Sequence, residues 1–117
     1  MKLSSVKSDL LQKGVLDSRQ LLSYATMSGT LQGSYFQNIV AVCFQQDRLV
    51  LYRANLDNTL GDLLLSCPYS EITGYQAKNR ILYGYTEFTF AGDTLRFYNY
   101  DKKVFRQGFE EGGVTVP

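Results

Sequence analysis

Asn38-Ile-Val-Ala-Val-Cys-Phe-Gln-Gln-Asp-Arg-Leu-Val-Leu-Tyr-Arg53 reads as a β-hairpin, and the rest of the chain can be placed around it. Val40, Val42 and Phe44 alternate with Ile39, Ala41 and Cys43. A pleated strand has a side-chain period of two, so this one is apolar on both faces and must be covered on both. Gln45-Gln46-Asp47 interrupts the run, and Leu49-Val50-Leu51-Tyr52 resumes it with residues that favour strands. Two doubly covered strands joined by a tight polar turn imply a closed or sandwiched sheet with the hairpin near its middle.

Upstream, Arg19–Met27 has the alternation of a strand, with Leu22, Tyr24 and Thr26 on one side and Leu21, Ser23, Ala25 and Met27 on the other. Ser28-Gly-Thr-Leu-Gln-Gly-Ser34 then reads as a loop, because two glycines and two serines supply open backbone geometry. Earlier still, Ser4–Gly14 predicts a short helix with serines at its start, Leu3, Val6 and Leu10 on one face and Gly14 at its end. A helix this short needs a surface for its apolar stripe, so Leu3, Val6 and Leu10 are candidate interface residues, toward the rest of the chain or toward a partner.

Downstream, strands are expected over Leu60–Cys67, ended by Pro68, over Glu71–Lys78, with a bulge at Gly74, and over Ile81–Phe90 and Thr94–Tyr100, joined by a tight turn at Ala91-Gly-Asp93. Asp101–Gly113 predicts a helix capped by Asp101 and ended by Gly112. Lys102 and Lys103 stand in its first turn and Glu110 and Glu111 in its last, the reverse of what the helix dipole favours, and Gly108 weakens its middle. Packing by Val104, Phe105 and Phe109 must hold it. The expected organisation is a helical extension over 1–16 and one domain over 17–117, mainly β (α+β), with seven antiparallel strands and a closing helix.

Composition narrows function by exclusion. A chain of 117 residues buries about two-thirds of the surface its unfolded form exposes, enough for a core without disulfides. Twelve basic against eleven acidic residues give a net charge of +1, too little to steer the molecule to nucleic acid or an anionic membrane. Cys43 and Cys67 fall in apolar strand patterns and read as small buried hydrophobes. Lys7 and Asp9 interrupt what would be the core of a signal peptide, and no run approaches a membrane span, so a cytoplasmic protein is expected.

Seven antiparallel strands and one C-terminal helix form the layout of a pleckstrin-homology-like domain, and short motifs carry the same likeness. Gln46-Asp47-Arg48-Leu49 followed by Val50-Leu51-Tyr52 resembles the turn and strand of bacterial pleckstrin-homology and GRAM-type domains, as does Pro68-Tyr69-Ser70-Glu71-Ile72 further on. The resemblance covers roughly Asp17 to Gly112. It implies a half-open barrel or sandwich stopped at one end by the helix, used for binding or assembly without catalysis. Members that bind phosphoinositides carry basic residues around the first loop; Ser28–Tyr35 has none, which turns the reading away from headgroups.

The chemistry of the residues agrees. Histidine is absent, so the usual general base, the commonest metal ligand and the usual activator of a cysteine nucleophile are missing. No phosphate-loop spacing or calcium-loop pattern occurs, and no catalytic, cofactor or metal residue is assigned. Tyr83–Phe90 has the superficial look of the aromatic strand of an RNA-recognition motif, but Glu87 stands where an aromatic belongs, so no nucleic-acid partner is expected. Arg48, Lys78 and Arg80, with Tyr83 nearby, make a candidate anion patch if their turns share one end of the barrel. The expectation is a protein-binding module that includes copies of itself among its partners. A lipid-headgroup module using Arg48, Lys78 and Arg80 is the alternative, and an enzyme comes third.

Overall fold

Alternating apolar side chains generate seven strands: β1 (Leu22–Leu31), β2 (Ser34–Phe44), β3 (Arg48–Ala54), β4 (Leu60–Pro68), β5 (Thr73–Asn79), β6 (Gly84–Phe90) and β7 (Asp93–Tyr98). One helix, α1 (Lys102–Glu111), follows them. The structure is a computed structural model that describes residues 10, 12–14, 16, 21–55, 59–79 and 84–114. The helix expected over Ser4–Gly14 lies largely outside these residues, as do Arg80 and Tyr83.

All seven strands belong to one antiparallel sheet in the order β4-β3-β2-β1-β7-β6-β5. A four-stranded meander and a three-stranded one are thus fused where β1 pairs with β7, Thr26 opposite Tyr98 and Gly29 opposite Leu95. The hairpin of the opening stretch, with Val42 opposite Leu51, is second and third from the β4 edge, and the central strand is β1, not the hairpin expected there. The two outermost strands are β4 and β5, joined in sequence by a short 3-10 turn at Tyr69–Glu71 in place of the strand start expected there.

The loop expected over Ser28–Ser34 is instead the end of a long hairpin. Every residue from Ser28 to Leu31 has a partner in β2, and only Gln32 and Gly33 turn the chain, both with positive φ (53° and 81°). Gly29 is there for a different reason from loop flexibility. Its φ is 143°, and a Cβ would lie 2.0 Å from the Thr94 carbonyl oxygen, so only glycine lets β1 run this close to β7. Ala91 and Gly92 repeat the same left-handed turn between β6 and β7.

Both faces of β2 are covered, as its sequence requires. Val40, Val42 and Phe44 join a main core with Ala25, Met27, Leu49, Leu51, Phe88, Leu95 and Phe97. Ala41 and Cys43 point the other way, into a second cluster with Leu22 and Val50 that Leu10 and Leu16 cover. Cys43 and Cys67 are free and buried, and burial pushes both thiols up to about 12.

Helix α1 closes the main core by insertion of rings. Phe105 and Phe109 meet the Phe44 ring edge-on at 5.3 and 5.2 Å, and Tyr100 stacks on Phe105 at 4.1 Å. The Asp101 carboxylate caps the helix by accepting from the amides of Lys103 and Val104. At the other end Gly112 is the C-cap, as expected, the left-handed residue is Gly113 beyond it (φ 85°), and the amides of Gly113 and Val114 donate to the carbonyls of Glu110 and Phe109. The unfavourable order of charges is partly relieved by an Arg106–Glu110 pair one turn apart, at 3.1 Å.

Candidate functional site

Pro68 has no amide proton to extend the β3–β4 ladder, and the chain leaves the sheet there. The Tyr69 amide donates to the Asp47 carbonyl (3.2 Å) and its hydroxyl to the Gln45 carbonyl (2.6 Å), which fixes the 3-10 turn against the β2–β3 turn. Ile72 then leads into β5. Its expected bulge is present: the register slips by one residue between Thr73 and Gln76, around Gly74 with φ 63°.

Beside this turn ends α1. Gly112 passes so close to Tyr69 that a Cβ would sit 2.6 Å from its ring. Between the 3-10 turn, the start of β5 and the end of α1 lies a cleft of about 640 Å³, lined by Tyr69, Ser70, Ile72, Gly74, Tyr75, Gly113 and Val114. Tyr75 rests on Phe109 at 4.8 Å, and its phenol is pushed up to about 12 by burial, then by Tyr100 and the Glu110 carboxylate. Among the described residues β5 is a terminal strand of the sheet, paired with β6 on one side, so this cleft adjoins a sheet edge. Hydroxyls, backbone groups and apolar walls equip it to bind.

The expected anion patch is placed as follows. Arg48 turns to its neighbour Asp47 (3.4 Å) and to the Ser66 hydroxyl (3.2 Å). Lys78 lies over the Tyr85 ring, with Nζ 5.8 Å from its centroid. The sheet order sets β2, β1, β7 and β6 between the strands that carry them, and each has its own partners. Arg80 and Tyr83 fall outside the described residues, as do Leu3 and Val6. Leu10 is 3% exposed and belongs to the second cluster of its own chain.

Lys78 borders a set of side chains that the sequence did not single out. Arg96 lies 4.2 Å over Tyr85 and pairs with Glu87 at 3.2 Å, and Tyr98 is beside Tyr85 at 6.4 Å. Hydrogen bonds to Tyr98 and Glu87 raise the pKa of Arg96. Its charge is thereby held within the sheet face.

The turn between β1 and β2 holds an anion from its own chain. Asp93 is buried, and its carboxylate accepts from the amides of Gln32 (2.8 Å) and Gly33 (2.9 Å) and from the Thr30 hydroxyl (2.9 Å). These bonds hold its pKa below the ordinary value. No described helix is long and apolar enough to cross a membrane. Compared with protein-family models and with curated proteins, the chain finds no match.

Proposed function

We propose that this chain is a non-catalytic binding module of pleckstrin-homology-like fold that takes up an extended segment of another protein chain, a second copy included, along β5. The observation that carries this reading is the edge of β5, unpaired among the described residues, beside the cleft at Tyr69, Ile72, Tyr75 and Val114. An edge strand offers a row of backbone donors and acceptors that another polypeptide in extended form satisfies, and an adjoining pocket selects a side chain. The fold assignment is supported by the strand order, in which two antiparallel meanders join through β1 and β7 and a C-terminal helix packs into the core. Against a phosphorylated headgroup weigh the neutral first turn, its amides taken by Asp93, and the separate partners of Arg48 and Lys78.

Amide spectra and light scattering over a dilution series test the self-association arm. The expected result is a mass above 13.3 kDa with shifts confined to Ser70–Asn79 and Glu110–Val114. Ser70→Trp, at an exposed lining position, should fill the cleft and abolish both effects. A monomer at every concentration removes self-association from the proposal.

A further inference from the structure

The face of the sheet turned away from α1 carries a trough. Across β1, β2 and β3, Leu22 stands opposite Cys43 and Cys43 opposite Val50; two residues further along, Tyr24 stands opposite Ala41 and Ala41 opposite Tyr52. Small side chains on β2 are thus flanked by larger ones on both neighbours, and none of them is charged. Leu10 and Leu16 cover this trough and are 3% and 4% exposed. Lys13, between them in the chain, is near enough to Tyr52 for its charge to act on that phenol, and the Leu16 amide donates to the Leu10 carbonyl at 3.3 Å. The cover leaves one group unmet. The Tyr24 hydroxyl is shut off from solvent and finds no hydrogen-bond partner among the described residues. It regains water whenever the cover lifts, so closure forfeits those bonds and gets none in return.

We propose that this trough is a second docking site, for an amphipathic segment of another protein whose docking face is uncharged, and that the stretch bearing Leu10 and Leu16 is its built-in competitor. The cover shows the apolar half of what fits, two leucine-sized side chains against Ala41 and Cys43. The Tyr24 hydroxyl shows the polar half, a side-chain amide or hydroxyl that meets it. A tethered cover keeps a high effective concentration over its own site, and an incoming segment prevails by making the bond that the cover lacks. The trough shares no residue with the β5 cleft, so the two sites stand or fall separately.

The test uses the full chain with Leu10→Ala, which loosens the cover, and synthetic peptides copying residues 1–16, one unaltered and the others with asparagine at a single position other than 10 and 16. Labelling of Cys43 by a thiol reagent under native conditions reads the trough, and Cys67 serves as the internal control. The unaltered peptide is expected to slow labelling at Cys43 alone. At least one asparagine peptide should do so at an at least about fivefold lower concentration, and adding Tyr24→Phe to the chain should erase that advantage. With the cover intact, Tyr24→Phe by itself should slow Cys43 labelling by about fivefold, because closure no longer strands a hydroxyl. Cys43 labelling that no peptide slows, or that rises equally with that of Cys67 in Leu10→Ala, overturns the docking site. An asparagine advantage that is absent, or that survives Tyr24→Phe, overturns the polar half of the proposal. A Ser70→Trp chain whose mass stays above 13.3 kDa, with amide shifts at Leu22, Ala41 and Cys43, gives the trough to a second copy and overturns the foreign segment.

Discussion

Gly108 occupies the middle of α1, where alanine ordinarily gains about 1 kcal/mol of helix propensity over glycine. Here a Cβ would stand 2.3 Å from the Phe44 ring, which is itself wedged between Phe105 and Phe109. Neither ring nor helix can retreat without opening the aromatic core, so overpacking outweighs propensity. Gly108→Ala should destabilise the protein by about 1–3 kcal/mol, read as a lower urea midpoint. The sequence marked Gly108 only as a weakness, because the ring that requires it lies far away in the chain. Asp93 was similarly hidden, legible as a turn residue but not as the group that ties the β6–β7 turn to the β1–β2 turn. Its carboxyl has a lowered pKa in the folded state. The stabilisation is therefore complete above its ordinary value of 3.8 and is lost as pH falls below that toward the folded value. Asp93→Asn should be less stable than the native chain near neutral pH, and the gap should narrow as a urea titration is repeated at progressively more acidic pH. A gap that is constant with pH would mean that the carboxylate charge contributes nothing.

Helix α1 separates two contributions that act at opposite ends. Asp101 satisfies two amides of the first turn, and Asp101→Ala should cost about 1 kcal/mol. Glu111 stands in the last turn, where the dipole disfavours a carboxylate, and it accepts from the Gln107 side-chain amide one turn earlier (3.1 Å). Elements of this kind were readable in the sequence because their signals are local: Asp101 before the helix, Pro68 at the end of β4, alternation in β2, glycine at the β5 bulge. The Ser28–Ser34 segment was misread because its glycines suit an open loop and a tight strand crossing equally well. Only the pairing of β1 with β7, a contact between distant parts of the chain, distinguishes them. The cleft escaped for the same reason, since Tyr69, Tyr75 and Val114 come from three elements with no shared pattern.

At the scale of the whole molecule, one sheet supports two unequal cores. The main one lies between the sheet and α1, with Phe44 of β2, Phe88 of β6 and Phe97 of β7 against Phe105 and Phe109 of the helix, so its exposure requires the helix to leave the sheet. The second is a thin layer over β1–β3 whose outer wall is Leu10 and Leu16. Among the described residues this cluster has six buried members against fifteen in the main core, and smaller units of that kind open with a smaller free energy than the whole fold. The two cysteines report on the two cores separately: Cys43 lies under Leu10 and Leu16, and Cys67 lies in the main core. Leu10→Ala removes a nearly fully buried side chain and should cost the cover about 2 kcal/mol or more. If the cover opens by itself, that loss raises the fraction of time Cys43 is open by a factor of about ten or more, because each 1.4 kcal/mol is tenfold in an equilibrium. Labelling with a thiol reagent under native conditions, resolved by peptide mapping, should therefore accelerate at Cys43 and stay unchanged at Cys67. An equal acceleration at both positions would mean that cover and main core unfold as one cooperative unit, with Leu10 as much a part of the global fold as Phe44.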